Sequence, residues 1–335
     1  MNRLLPLAAA LAFAGALHAQ PQLGVYRWDS PKGPGNVDAF GEWLGRPARV
    51  AGAFEATKTW QDIEGMDWQL GPWSQWVRGK PGRNLSLGVA LLPERGASLA
   101  RCGAGEYDES WERLAKNLAA YGLNEAYLRL GWEMDGPWNA WAAPPGSGKE
   151  AHFAGCFRRA VQLMRRAVPQ NRWKFVWNVT TTDWKRPYLD AIWPGDAYVD
   201  VVGIDLYDQS WAKRTYPYPR RCDAACRSER QDNAWKDLRA RLGAVRDFAA
   251  AHGKPLALPE WGIATRADGH GGDDDPAFIR RMHEFIHDPG NNVEYHCYWD
   301  VTTPELDAQL SGATKYPGSA EVFRRLFGAQ RLARP

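Results

Sequence analysis

The segment Ala126-Tyr127-Leu128-Arg129-Leu130-Gly131-Trp132-Glu133-Met134 is short, nearly continuous in apolar residues and ends beside a carboxylate. Strands buried on both faces read this way, and they belong to parallel sheets covered by helices. Working outward, seven further runs share the character: 23–29, 49–55, 85–92, 174–180, 199–207, 256–261 and 293–301. Between them lie stretches of helical periodicity at 110–121, 151–167, 233–251 and 276–287, with 320–327 closing the chain. Eight strands, each followed by a helix or helical loop, predict an α/β protein built as a single (β/α)8 TIM barrel over residues 20–335. Gly/Pro-rich patches at 30–35, 142–148 and 268–275 follow strands one, four and seven. Those are βα loops, which form the active-site face of a barrel.

Composition narrows the function. Among 335 residues, 42 are basic and 39 acidic, a formal net charge of +3. The charges are interspersed with no long basic run, so nucleic acid is not an expected partner. Eighteen tryptophans are the anomaly, and they suit either a large core or a groove that stacks flat ligands. At the N-terminus Met1-Asn2-Arg3 precedes an apolar stretch over 4–17 and then His18-Ala19-Gln20. A basic start, a short apolar run and a small residue predict a signal peptide, residues 1–19, and a periplasmic or secreted product. The run is too short to span a bilayer, and no cysteine follows it, so no membrane anchor is expected.

Five cysteines fit an oxidising compartment. Cys222 with Cys226, and Cys102 with Cys156, are the expected pairs, leaving Cys297 as a buried thiol in an apolar strand. The histidines show no ligand spacing, so no metal is expected. Asp273-Asp274-Asp275 reads as a helix N-terminus before Pro276, with a calcium site as the rival. No phosphate-binding glycine loop follows a strand, so no cofactor is expected. The chain is expected to be a monomer.

The chemistry is carried by Glu133 and by Glu260 in Pro255-Leu256-Ala257-Leu258-Pro259-Glu260-Trp261-Gly262. Two carboxyls delivered to one barrel mouth are equipped to cleave a glycosidic bond, one protonating the leaving oxygen and the other attacking or stabilising the sugar cation. Strand alternation would put Arg129 and Gly131 on the face of Glu133, Asp205 with Tyr207, and Cys297 with Trp299. Taken singly, each is more often structural: a salt-bridged acid, a core aromatic, or, for Arg129, the counter-ion of a buried acid.

The block Arg129-Leu-Gly-Trp-Glu133-Met-Asp-Gly-Pro-Trp138-Asn-Ala-Trp141 resembles the fourth-strand signature of glycoside hydrolase family 26, the β-mannanase family. The segments Phe175-Val-Trp177-Asn178, Tyr198 to Asp208 and Leu258-Pro-Glu260-Trp-Gly are similar to the family's fifth, sixth and seventh strands. The resemblance implies a retaining β-glycosidase with Glu133 as acid/base, Glu260 as nucleophile and Tyr207 orienting Glu260. It further implies a substrate site formed by Arg129, Trp132, Trp138, Trp141, Asn178, Asp205 and Trp299, with Trp299 as the floor under the sugar being cleaved. Trp138 and Trp141 could equally be packing residues.

One position departs from the family. Mannanases of this kind usually carry His immediately before the acid/base, where this chain has Trp132. An indole has a single N–H donor and cannot reproduce those contacts near the sugar's 2-hydroxyl. The expected substrate is therefore a β-linked polysaccharide or its oligosaccharides, with β-mannan, β-glucan, β-xylan and bacterial exopolysaccharide all open. Endo action is the primary expectation; an exo-acting enzyme and a non-catalytic polysaccharide-binding barrel are the alternatives.

Overall fold

The structure, a computed structural model, describes residues 20–180 and 185–329. The expected signal peptide, 1–19, lies outside the described residues. Eight parallel strands form the barrel wall: β1 Gln22–Tyr26, β2 Val50–Phe54, β3 Asn84–Val89, β4 Tyr127–Leu130, β5 Lys174–Val179, β6 Val201–Ile204, β7 Leu256–Gly262 and β8 Val293–Trp299. Each pairs with the next, and β8 pairs with β1 to close the ring. A two-residue extension, Leu206–Tyr207, continues β6 upward beside β7. The single (β/α)8 barrel read from the sequence is the observed fold.

Two apolar layers hold it. The larger lies between the strands and the surrounding helices and contains Trp73, Trp111, Trp177, Trp261, Phe157 and Phe323. A smaller cluster of Val50, Tyr127, Val176, Val201, Ala257, Tyr295 and Cys297 fills the barrel interior. Tyr127 and Tyr295 stack there at 4.2 Å, and the Tyr295 hydroxyl bonds Ser86 at 3.0 Å. β1 approaches β8 closely beside this plug, because a Cβ on Gly24 would lie 2.5 Å from the Cys297 Sγ. The plug closes the lower barrel, and the buried Arg129, Asn178, Asp205 and Glu260 gather above it.

Several boundaries differ from the sequence reading. β4 stops at Leu130 rather than running to 134, because Gly131 and Glu133 both take left-handed backbone angles (φ 58° and 55°). A Cβ on Gly131 would meet Leu91 at 2.6 Å, which glycine avoids. Strand alternation therefore does not place Glu133; a turn does. The helix expected at 233–251 begins nine residues earlier, at Ala224, capped by the Asp223 side chain. Helices Gly33–Leu44 and Asp67–Gly79 fill the βα positions after β1 and β2, where the sequence reading expected a helix or helical loop without assigning its range.

Both expected disulfides are present, Cys102–Cys156 and Cys222–Cys226, and Cys297 is a buried free thiol. The acidic triplet acts as hydrogen-bond acceptors. Asp275 caps helix Pro276–His287, Asp274 accepts from the N–H groups of Gly318 and Ser319, and Asp273 accepts from Thr265. No described helix is long and apolar enough to cross a membrane.

Candidate active site

The site is built from the C-terminal ends of β4, β5, β6 and β7. The third residue of β4, Arg129, rises from the plug and is fully buried. Its Nη2 donates to Asp205 Oδ2 at 2.9 Å and to Glu260 Oε1, and its Nε donates to Asn178 Oδ1 at 2.7 Å. One guanidinium thus ties the ends of three neighbouring strands to β4. Burying these charges is tolerable because they meet each other with good geometry.

The turn after β4 brings Glu133 over this ion pair. The Glu133 N–H donates to the Asn178 carbonyl at 2.9 Å, fixing the left-handed residue against β5. A left-handed non-glycine residue is uncommon and persists only where its surroundings impose it. Carboxylate oxygens of Glu133, Asp205 and Glu260 lie within 4.8 Å of one another. That separation suits displacement with retention, for which about 5–5.5 Å is typical. Three converging acids could also offer ligands to a cation, but the Arg129 Nη2 already bonds two of them and supplies the positive charge a metal would bring.

The two glutamates sit in different surroundings. Burial, then the charges of Glu260 and Asp135, push the Glu133 carboxyl up to about 8. The Trp138 indole N–H donates to Glu133 Oε2 at 2.9 Å and opposes that rise. Glu260 accepts from Arg129 on one oxygen and from the Tyr207 hydroxyl at 3.0 Å on the other. Both oxygens of Glu260 thus face donors, which fixes its orientation, while a protonated Glu133 can give up a proton. Burial beside Glu260 raises Tyr207 well above its ordinary value, so it stays a donor. Burial likewise pushes Asp205 up, against the pull of Arg129.

Aromatic rings line the mouth. Trp299 stacks on Tyr26 at 4.1 Å and meets the Tyr207 ring edge-on at 6.2 Å. Its Nε1 is buried and has no hydrogen-bond partner among the described residues, and neither has Asp205 Oδ1. Trp132 packs against Phe54 and Trp141. Trp138 is 58 % exposed over Glu133. Trp141, by contrast, is buried and donates its N–H to the Trp132 carbonyl at 2.8 Å, so it braces the loop and does not reach the opening. Arg129 and Asn178 are buried beneath the mouth, acting on Asp205 and Glu260 and not at the surface of the groove.

Sequence reasoning missed several neighbours. Asp29, just past β1, accepts from the Phe54 N–H at 2.7 Å and from Tyr26 at 3.1 Å; burial raises it to about 6. Asp135 accepts from both Thr180 N–H and hydroxyl at 2.8 Å, joining the loops after β4 and β5. An open cavity of about 800 Å³ runs from Glu133 and Tyr207 past Gln209 and Trp211 to Arg266 and Glu305. Asp29 stood at a strand end like the residues that were found. Gln209, Trp211 and Glu305 of the larger cavity lie outside the barrel strands and helices and leave no periodic mark.

Comparison with known proteins agrees with this geometry. The profile of Glycosyl hydrolase family 26 matches residues 114–220. A β-1,3-xylanase of Vibrio sp is 27% identical over 181 residues, 54% of this chain and 31% of the relative. Endoglucanase H of Acetivibrio thermocellus is 32% identical over 117 residues, 33% of this chain and 13% of the relative. This chain therefore spans a third or less of the length of these relatives. Among solved structures, a modular endo-β-1,4-mannanase from Cellulomonas fimi superposes with a TM-score of 0.64 at 18% identity, covering 90% of this chain and 70% of that one. Over residues 114–220 the chain is similar to glycoside hydrolase family 26, and its fold is that of the mannanase barrel.

Proposed function

We propose that the protein is an O-glycoside hydrolase, an endo-β-glycosidase that cleaves a β-linked polysaccharide by double displacement with retention. The observation that carries this reading is the close approach of Glu133 and Glu260 within two unlike environments. Glu260, held by Arg129 and Tyr207, attacks the anomeric carbon while protonated Glu133 protonates the departing oxygen. The glycosyl–enzyme ester is then hydrolysed by a water that Glu133 deprotonates. Trp299 forms the floor, its indole face against the sugar. The relatives act, by their names, on β-1,3-xylan, as an endoglucanase and on β-1,4-mannan, which supports β-linked substrates as a class. The cavity of about 800 Å³, walled by Trp138, Tyr207 and Trp211, leaves room for more than one sugar and favours internal cutting over exo action. Secretion or export to the periplasm, as a monomer, completes the proposal.

The test is a screen of β-mannan, β-glucan, β-xylan and bacterial exopolysaccharides with product sizes resolved by chromatography. Mixed oligomers should appear first, and Glu133→Gln and Glu260→Gln should each lose several orders of magnitude in kcat while still binding. Wild type that binds a glycan without hydrolysing any would favour a non-catalytic barrel instead.

A further inference from the structure

β2 ends at Phe54, whose ring turns into the mouth against Tyr26, Trp132 and Trp299. The next residue, Glu55, points the other way, as alternation requires. It enters a second cavity, about 180 Å³, between the loops after β1 and β2 and helix Asp67–Gly79. Asp29, Ser30, Glu55, Trp68, Gln69 and Trp73 line it. Phe54 and Asp29 link this cavity to the mouth: both line the cavity, and Asp29 accepts from Tyr26, which stacks on Trp299.

Two polar side chains in this cavity have unused bonding capacity. Glu55 is 3% exposed, and neither carboxyl oxygen has a hydrogen-bond partner among the described residues. Gln69 is 4% exposed; its Oε1 accepts from the Met66 N–H at 3.0 Å, but its Nε2 is unpartnered. Buried polar groups in native proteins are normally satisfied, so this pair is matched either by water or by the hydroxyls of a ligand that displaces it. Trp68, half exposed at the rim, and Trp73 add indole surface. No Lys or Arg lines the cavity, so nothing there would balance an anion. The space corresponds to about six waters at roughly 30 Å³ each, the bulk of one sugar ring.

We propose that this cavity is a side pocket that binds one neutral monosaccharide unit of the polysaccharide, through Glu55 and Gln69 to its hydroxyls and Trp68 to its apolar face. The unit is either part of the backbone leaving the mouth or a branch carried on it. Burial pushes the Glu55 carboxyl well above its ordinary value, toward the protonated form that can both donate to and accept from sugar hydroxyls. The inference rests on the reading of the barrel mouth as a glycosidase site.

Binding is measured by calorimetry on the full chain carrying Glu133→Gln, so that turnover is not needed. The probes are the linear hexasaccharides of β-1,4-mannan, β-1,4-glucan and β-1,3-xylan, and a galactosyl-branched mannopentaose. At least one probe should bind, and adding Glu55→Leu or Trp68→Ala should weaken it tenfold or more. Loss on a linear hexasaccharide identifies a backbone unit, and loss confined to the branched probe identifies a branch. Glu55→Leu should keep or raise Tm, since it removes an unmatched buried carboxyl. Trp68→Ala is the second variant if Glu55→Leu fails to fold. Unchanged affinity in the variants, or no probe bound by the parent, overturns the pocket. Absence of hydrolysis by wild type overturns the catalytic reading and is scored separately.

Discussion

The Trp138 indole N–H donates to Glu133 Oε2 at 2.9 Å, although Trp138 itself is 58 % exposed. The acid is therefore held by a residue of the loop that covers it, and this bond favours the charged carboxylate against burial. The proposed mechanism needs Glu133 protonated in the first step, so kcat/KM should fall above about pH 8. Trp138→Phe removes the stabilising donor and should move that alkaline limb to higher pH. A pH–rate profile of the two proteins checks it, and a limb that stays in place or moves down contradicts the assignment.

The same shift makes a stability prediction. Glu133 is raised from 4.5 to about 8 in the fold, so the native state binds its proton more tightly than the unfolded chain. Its contribution is complete below pH 4.5 and is lost progressively as pH rises toward 8. Glu133→Gln, neutral at every pH, should therefore exceed wild type in Tm at pH 8 and approach it near pH 5. Thermal melts at the two pH values decide this.

Tyr207 touches only one oxygen of Glu260, at 3.0 Å, and Arg129 holds the other. A hydrogen bond to a charged group is worth about 1.5–3 kcal/mol, so Tyr207→Phe should lower kcat by about 10- to 100-fold. The effect should fall mainly on kcat, with KM little changed, in steady-state kinetics on whichever polysaccharide the screen identifies.

Arg129 is different because it is the counter-charge of two buried acids. Arg129→Met leaves Asp205 and Glu260 facing each other without it, and should cost about 3–5 kcal/mol in denaturant unfolding. The deficit should shrink at acid pH, where the carboxyls protonate.

The disulfides should rank by the loops they close. Cys102–Cys156 spans 54 residues and Cys222–Cys226 only four. Loop-closure entropy gives about 4 kcal/mol for the first and about 2 kcal/mol for the second. Paired Cys→Ser substitutions, compared by chemical denaturation, should reproduce that order.

The barrel was legible because strands covered on both faces leave unbroken apolar runs, and the runs 126–134, 199–207 and 256–261 each carry polar residues near their upper end. Glu133, Glu260, Tyr207 and Asp205 were found for that reason. Their mutual geometry was less legible: parity along β4 assigns Glu133 to a strand, whereas Gly131 and Glu133 leave it in left-handed conformations. Trp141 stayed open between groove and packing because tryptophan spacing is the same for a lining ring and a bracing one; its burial and its hydrogen bond to Trp132 decide for packing. Glu55 and Gln69 escaped notice because they are 14 positions apart, on a strand end and a helix, and only folding brings them to one cavity.

The central claim is that Glu260 attacks while Glu133 protonates, so the anomeric configuration is kept. Proton NMR of the reducing ends formed in the first minutes of hydrolysis, before mutarotation, reads this directly. The account predicts that the β-anomer appears first and the α-anomer only later as it equilibrates; α-anomer as the initial product would contradict it.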